Sequence, residues 1–221
     1  MQGIIDVFKL YVERWDFFSE LLIEHIMLTL ISISFITIIG LTIGILMTKR
    51  KSFAQFMLAL TNFLYTIPSI ALFGFLVFFT GIGNTSAIIA LVVYGMLPII
   101  RNTYVGINDV DEQIIESAVG MGCTNSQLLF RVQLPLALPV IFAGFRTMVI
   151  MTIALAGIAS FIGAGGLGRA IWRGITTYYP EMTFAGSLLV AGLAIIADLL
   201  MEVIERLLKR RILGVKNKKG A

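Results

Sequence analysis

Five long apolar runs alternate with polar stretches along this chain, at residues of about 26–47, 53–79, 86–100, 136–162 and 182–207. A helix rises ~1.5 Å per residue, so about 20 apolar residues cross the ~30 Å hydrocarbon core of a bilayer. The pattern therefore predicts an all-α integral membrane protein with five transmembrane helices. The runs are unequal. The first stops at Lys49, Arg50 and Lys51. The second carries Thr61, Asn62, Tyr65, Thr66, Pro68 and Ser69. A proline there kinks the helix and frees a carbonyl that a neighbour or water must satisfy. A turn at 81–85 leads to the third run, which is short and closes at Arg101. Residues 1–24 interleave apolar and charged positions, which predicts an amphipathic segment lying at the interface with Tyr11 and Trp15 near the headgroups.

Residues 102–135 form the longest stretch that lipid cannot hide. Asn108 or Asp109 is expected to cap a helix whose first turn holds Asp111 and Glu112. Gly120 and Gly122 weaken that helix and allow a turn. Thr124 and Gln127 have capping-box spacing and start a second short helix, and Pro135 stands at the entry to the fourth run. A glycine-rich turn at 163–168 follows that run.

Composition sharpens this picture. The chain is 58% hydrophobic and 14% charged, against about 45–50% and 25% in soluble domains. Five crossings put the termini on opposite sides. One side receives Lys49, Arg50, Lys51, Arg101, Arg131, Arg206 and a basic tail of Lys209, Arg210, Arg211, Lys216, Lys218 and Lys219; the other receives Lys9, Arg14, Arg169 and Arg173. That asymmetry predicts a cytoplasmic 102–135 loop and C-terminus, with the N-terminus and the 163–180 loop outside. The net charge of +4 belongs to this topology pattern and not to a nucleic-acid face. Asp6, Glu13, Asp16, Glu20 and Glu24 are the wrong composition for a cleavable signal peptide. The single cysteine, Cys123, and the single histidine, His25, leave little for a disulfide, a metal site or a nucleophile–base pair. His25, at the start of the first run, is expected to be an interfacial residue.

Three groups of residues invite chemistry. Arg146 is the costliest side chain within a run. It and Asp198 lie at equal depth by residue count, which suggests an ion pair with Glu202 one turn away. It is either a structural clamp or a moving gate element. Asn62, Tyr65, Thr66 and Ser69 recur at steps of three and four beside Pro68. They either glue helices together or line a permeation path, where Tyr65 offers a cationic solute a cation–π contact. Gly163, Gly165, Gly166 and Gly168 match G-x-G-x-x-G, but the preceding run is far too long for a strand and no acidic residue follows at the expected distance. An external turn, touching a partner or lining a mouth, fits better. The chain has no G-x-x-x-x-G-K-[ST] segment to bind ATP.

Glu116, Ser117 and Ala118, then Gly122, then Val132, Gln133, Leu134 and Pro135 resemble the EAA loop of ATP-binding-cassette importer permeases, E-A-A-x3-G-x9-I-x-L-P, with Ser117 and Val132 as mild departures. Residues 65–69, 97–104 and 163–168 look like the branch that imports glycine betaine, carnitine, choline and similar osmoprotectants. The resemblance covers about residues 20–210. It implies a five-span type I (MetI-like) permease domain at 25–208, between the interfacial 1–24 segment and the basic 209–221 tail. It also implies pairing with a second permease subunit, two cytoplasmic ATPase subunits that hold ATP and magnesium, and an external substrate-binding protein, expected as a separate polypeptide. This chain itself is expected to bind no cofactor. The EAA-like loop is then a coupling element with Glu116, Ser117, Ala118, Gly120, Gly122, Leu134 and Pro135 as its residues. Glu116 offers a charge-assisted hydrogen bond, and Ala118 and Gly120 permit close approach of the ATPase. A permease for another small solute, such as an amino acid or a bile-type compound, an intramembrane enzyme and a sensory subunit are the competing readings.

Overall fold

The computed structural model describes residues 2–213, and those residues form helices joined by short turns. In chain order they are α1 (Gln2–Glu13), α2 (Trp15–Met47), α3 (Lys51–Thr66), α4 (Ser69–Thr80), α5 (Asn84–Asn108), α6 (Glu112–Gly120), α7 (Asn125–Gln127), α8 (Leu134–Ile158), α9 (Gly168–Thr176) and α10 (Pro180–Leu213). A π-helical stretch, Leu128–Gln133, joins α7 to α8, and a 3-10 turn, Ala159–Ile162, ends α8. The side chains of Arg211, Lys216, Lys218 and Lys219, most of the expected basic tail, fall outside the described residues.

Four helical segments, Trp15–Met47, Asn84–Asn108, Asn125–Ile162 and Pro180–Arg210, are each long and apolar enough to cross a bilayer. They expose large apolar side chains, among them Met27, Leu30, Phe35 and Ile38 on α2 and Ile195, Ile196, Leu199, Leu200 and Val203 on α10. On a soluble protein such faces are aggregation surfaces, whereas lipid accepts them because every helical backbone group is already paired. The protein is a multi-pass membrane protein.

The second run departs from the expected single kinked helix. α3 and α4 meet at 99°. At ~1.5 Å per residue they measure only about 24 and 18 Å, so neither crosses alone. Ile67 takes the extended conformation (φ −68°, ψ 128°) that a following proline favours. Its carbonyl, left without a helical donor, accepts the hydroxyl of Tyr94 on α5. Tyr94 is 5% exposed, so the bend is anchored in the core.

Two other boundaries move. α5 does not close at Arg101 but continues to Asn108, because Ile99, Ile100, Thr103, Gly106 and Ile107 form one buried stripe that passes the exposed arginine. Asn108 and Asp109 accordingly end α5 and do not cap the next helix; Asp111 caps α6, accepting the Gln113 N–H at 2.9 Å. The 1–24 segment is not one interfacial piece either. Residues 15–24 are the first turns of α2, and α1 packs against α10 and α2. Val7 and Leu10 are buried with Phe18, Leu21, Met182 and Ala185, and the Tyr11 hydroxyl donates to the Ala185 carbonyl at 2.8 Å. Part of the apolar set is thus spent on the protein itself, while Ile5, Phe8, Val12 and Trp15 stay exposed.

The core sits where α5 crosses α2 and α8. Small residues let these backbones approach, the usual device of helix packing in lipid. A methyl group placed on Gly144 of α8 would fall 2.5 Å from Asn102 Cβ and 2.8 Å from the Pro98 carbonyl oxygen on α5. The second contact is backbone and cannot rotate away. Gly144→Val is therefore expected to cost about 2–3 kcal/mol or more through overpacking. Membrane-fraction yield and thermal aggregation in detergent should both drop; normal values for both would refute the close crossing.

Candidate functional site: an exposed loop, a bent helix pair and a charge cluster

The loop between α5 and α8 owes its shape to two local motifs. α6 ends in a Schellman motif: Gly122 has φ +84°, its N–H donates to the Val119 carbonyl at 2.9 Å, and the Cys123 N–H reaches back to Ala118 O at 3.2 Å. A residue with a Cβ is disfavoured at this left-handed position, which gives a physical reason for glycine six residues after Glu116. Thr124 then opens α7 with a complete capping box. Its hydroxyl accepts the Gln127 N–H at 3.3 Å while the Gln127 side chain accepts the Thr124 N–H at 2.9 Å. The chain thus turns from α6 into α7 within four residues.

Glu116 is exposed on this loop, with Gly120 and Gly122, and Val119 and Met121 stand open beside it at 54% and 79% exposure. Ser117 is exposed too but donates to its own helix, at Gln113 O. Ala118 is 3% exposed and turned into the chain, so it packs the loop on its own body. Leu134 and Pro135 are half-buried at the first turn of α8, which joins the loop rigidly to that helix. Cys123 is a free, half-buried thiol in the turn.

At the bend, Asn62, Thr66 and Pro68 are exposed and Ser69 is half-buried. The Thr66 hydroxyl is taken up by Phe63 O at 2.7 Å. Tyr65 is 44% exposed, contacts Met151 Sδ of α8 at 3.4 Å through its hydroxyl, and meets Tyr94 edge-on with ring centroids 5.9 Å apart. The bend therefore presents a partly open tyrosine ring beside the exposed Asn62 and the half-buried Ser69.

Arg146 on α8 uses all three guanidinium nitrogens toward α10. Nε donates to Asp198 Oδ1 at 2.5 Å, Nη1 to Glu205 Oε2 at 3.2 Å, and Nη2 lies 3.8 Å from Glu202 Oε2. Arg206 and Lys209 close the far side, on Glu202 and, at 2.7 Å, on Glu205. Glu205 escaped the sequence reading because it lies near the end of the run, where a carboxylate is ordinary. Its spacing was the available signal: 198, 202 and 205 step by four and three along one helix face.

The glycine turn is held by its own chain. The Gly165 N–H donates to Asn84 Oδ1 at 2.9 Å and the Gly166 N–H to Glu24 Oε2 at 2.8 Å. Gly166, at φ +97°, lies against His25. Gly163 is also left-handed, and Gly168 starts α9 where a Cβ would strike the Gly157 carbonyl. His25 does not face lipid headgroups: it is fully buried within the protein, with Nε2 3.1 Å from the Ile153 carbonyl of α8. The apolar residues around it in sequence hid that role, since a lone histidine at a helix start reads as a surface group.

Residues 36–210 match the family described as binding-protein-dependent transport system inner membrane component. The chain is 41% identical over 183 residues to a choline transport system permease protein of Bacillus subtilis strain 168, covering 83% of this chain and 84% of that one. It is 36% identical over 210 residues to a carnitine transport permease protein of Listeria monocytogenes, covering 93% of each. A third relative, an ergothioneine transport permease/ergothioneine binding protein of Helicobacter pylori strain G27, is 42% identical over 170 residues; the match spans 77% of this chain but only 31% of that protein. Among solved structures, the MetNI methionine ABC transporter in an inward-facing conformation superposes with a TM-score of 0.75 at 26% identity, over 84% of this chain and 93% of that one. The chain belongs to the family of binding-protein-dependent transport system inner membrane components, and it is a transport permease subunit of that family, not an enzyme.

Proposed function

We propose that this chain is the membrane-spanning subunit of an ATP-driven importer for a small quaternary ammonium osmoprotectant of the glycine betaine, carnitine or choline type, delivered by an external binding protein. The observation that carries the substrate class is chemical. Choline, carnitine and ergothioneine, named for the three relatives, all carry a trimethylammonium group. A cation of that kind is attracted to aromatic faces, and Tyr65 offers one at the α3–α4 bend. In this reading the solute passes along Asn62, Tyr65, Thr66, Pro68 and Ser69, bound weakly, while the binding protein selects it.

The assembly follows from the same reading. Counting α3 and α4 as one crossing gives five, within a permease domain of 25–208. The end that carries Lys49, Arg50 and Lys51 then faces the cytoplasm, and the glycine turn faces outward, in the plasma membrane of a prokaryote. A second permease subunit completes the wall of the path. Two ATPase subunits, which hold the ATP and magnesium, seat against the loop of Glu116, Gly120 and Gly122. Arg146, Asp198, Glu202 and Glu205 act as a clamp that keeps α8 and α10 moving together.

The test is a mild-detergent pull-down of this chain from its own cell, with the co-purifying polypeptides identified by mass spectrometry. An ATPase with a Walker A sequence should come down and be lost when residues 116–122 are scrambled. A co-purifying binding protein, titrated with choline, carnitine and glycine betaine, should bind at least one of them and ignore amino acids without the trimethylammonium group. Recovery without any ATPase refutes the importer, and a binding protein selective for ordinary amino acids refutes the substrate class.

A further inference from the structure

At the bundle end that carries the glycine turn, a cavity of about 420 Å3 opens between α9, the end of α8 and the start of α2. One face of α9 lines it. Arg169, Trp172, Arg173 and Thr176 recur at i, i+3, i+4 and i+7, so all four side chains point the same way. The opposite face is fixed. Ala170 and Gly174 are buried, and a Cβ on Gly174 would fall 2.3 Å from Thr183 Oγ1 of α10. α9 is thus pinned against α10 by close contact, and its cationic face is held in place before anything binds. The other walls are Phe161, Phe17, Ser160, Gly163 and Ala164.

The charges in this cavity are under-compensated. Among the described residues, the one carboxylate within 4.0 Å of either guanidinium is Glu24, 3.5 Å from Arg169 and already accepting the Gly166 N–H. Arg173 has no carboxylate within that distance; its guanidinium lies 5.7 Å from the Phe17 ring centroid. A planar guanidinium beside an aromatic face, with its donors unspent, is suited to bidentate contact with an oxyanion.

The level of the cavity decides which oxyanion. α8 ends at Ile158 and its 3-10 turn at Ile162, while the apolar run of α2 begins only after Glu24, the partner of Arg169, so the apolar stretches stop at this level and the cavity is placed at the edge of the bilayer. Phe161 and Trp172, 42% and 40% exposed with ring centroids 4.5 Å apart, give the cavity an aromatic wall of the kind that settles at headgroup depth. A free anion in water has no use for such a wall, whereas a lipid places its phosphate beside the arginines and its glycerol and first methylenes against the rings. The volume is within the range of small-molecule sites.

We propose that this cavity binds the phosphate group of an anionic phospholipid, gripped by Arg173 and Arg169 and flanked by Trp172 and Phe161. The site requires only that these helices cross a bilayer; it does not depend on the transported solute. Holding one lipid here ties α9 to the membrane edge and steadies the glycine turn that α2 and α5 clamp.

Native mass spectrometry of the intact complex, delipidated in detergent and then titrated with phosphatidylglycerol or phosphatidylcholine, tests the site. Wild-type protein should retain phosphatidylglycerol in clear preference to phosphatidylcholine. Arg173→Gln should lower that retention roughly tenfold, the loss expected for a charge-assisted contact. Arg173→Lys, which keeps the charge but not the fork, should fall between them. Inorganic phosphate in large excess should leave the lipid bound. Equal retention of the two lipids, unchanged retention in Arg173→Gln, or displacement by inorganic phosphate would each overturn the proposal, the last by making this a site for a free anion.

Discussion

Arg146→Leu is expected to lower the amount of intact protein in the membrane several-fold, more than any single carboxylate change on α10. The reason is the count of charges left behind. Three carboxylates, Asp198, Glu202 and Glu205, turn toward one guanidinium. Glu202 and Glu205 keep second partners in Arg206 and Lys209, but Asp198 has only Arg146 among the described residues. Removing the arginine strands Asp198 within an apolar helix and leaves like charges facing one another, and an unpaired charge in such surroundings costs far more than the pair contributes. Asp198→Asn should be milder, because Arg146 retains Glu205 at 3.2 Å. A swap, Arg146→Asp with Asp198→Arg, should recover part of the loss. Quantitative immunoblots of membrane fractions read all three. Wild-type levels of Arg146→Leu, or a swap no better than Arg146→Leu, would show that the cluster is not a clamp.

How far the sequence reaches is visible in this cluster and in the bend. Arg146 and Asp198 could be matched because both lie at countable depths in uninterrupted helices. The 198, 202 and 205 spacing puts Glu205 on the same helix face, but that one guanidinium reaches across two turns to it is set by side-chain direction, which spacing alone does not give. Pro68 announced a break, but a proline sets only its own φ and that of its neighbour. At the 99° bend the freed Ile67 carbonyl is met by Tyr94 from another helix, 27 residues away, a contact that the local sequence does not announce. The same holds for His25, whose partner Ile153 is 128 residues distant. The loop was the most legible part because its determinants are local: the αL glycine and the capping box are written within residues 122–127. The burial of Ala118 is not legible there, because a small residue reads equally well as a site for a partner's approach or for the chain's own packing.

The second large effect expected is a loss of ATP-driven uptake in the double variant Glu116→Ala, Gly122→Leu, with the protein still present in the membrane. Both positions are exposed, and a Cβ at Gly122 would meet nothing within 4 Å, so no packing is lost. What leucine loses at Gly122 is the left-handed conformation at φ +84°, which disfavours it by roughly 1–2 kcal/mol. The Schellman hydrogen bonds from Gly122 and Cys123 then weaken, and the angle between α6 and α7 is no longer set. Glu116→Ala removes the one exposed carboxylate at the centre of α6. A loop that transmits force from an ATPase needs both a grip and a fixed shape, so the pair of changes should reduce uptake by at least about tenfold, an amount equal to only ~1.4 kcal/mol of lost coupling. Gly120→Ala supplies the control. It also meets nothing within 4 Å and lies in the helix with ordinary backbone angles, so the loop keeps its shape; any loss of uptake reads only the added methyl on the docking face and should be smaller than in the double variant. Should the double variant import normally in vesicles loaded with ATP, the loop does not couple. Should Gly120→Ala be as defective as the double variant, the loop's tolerance for any added bulk, and not its left-handed turn, governs docking.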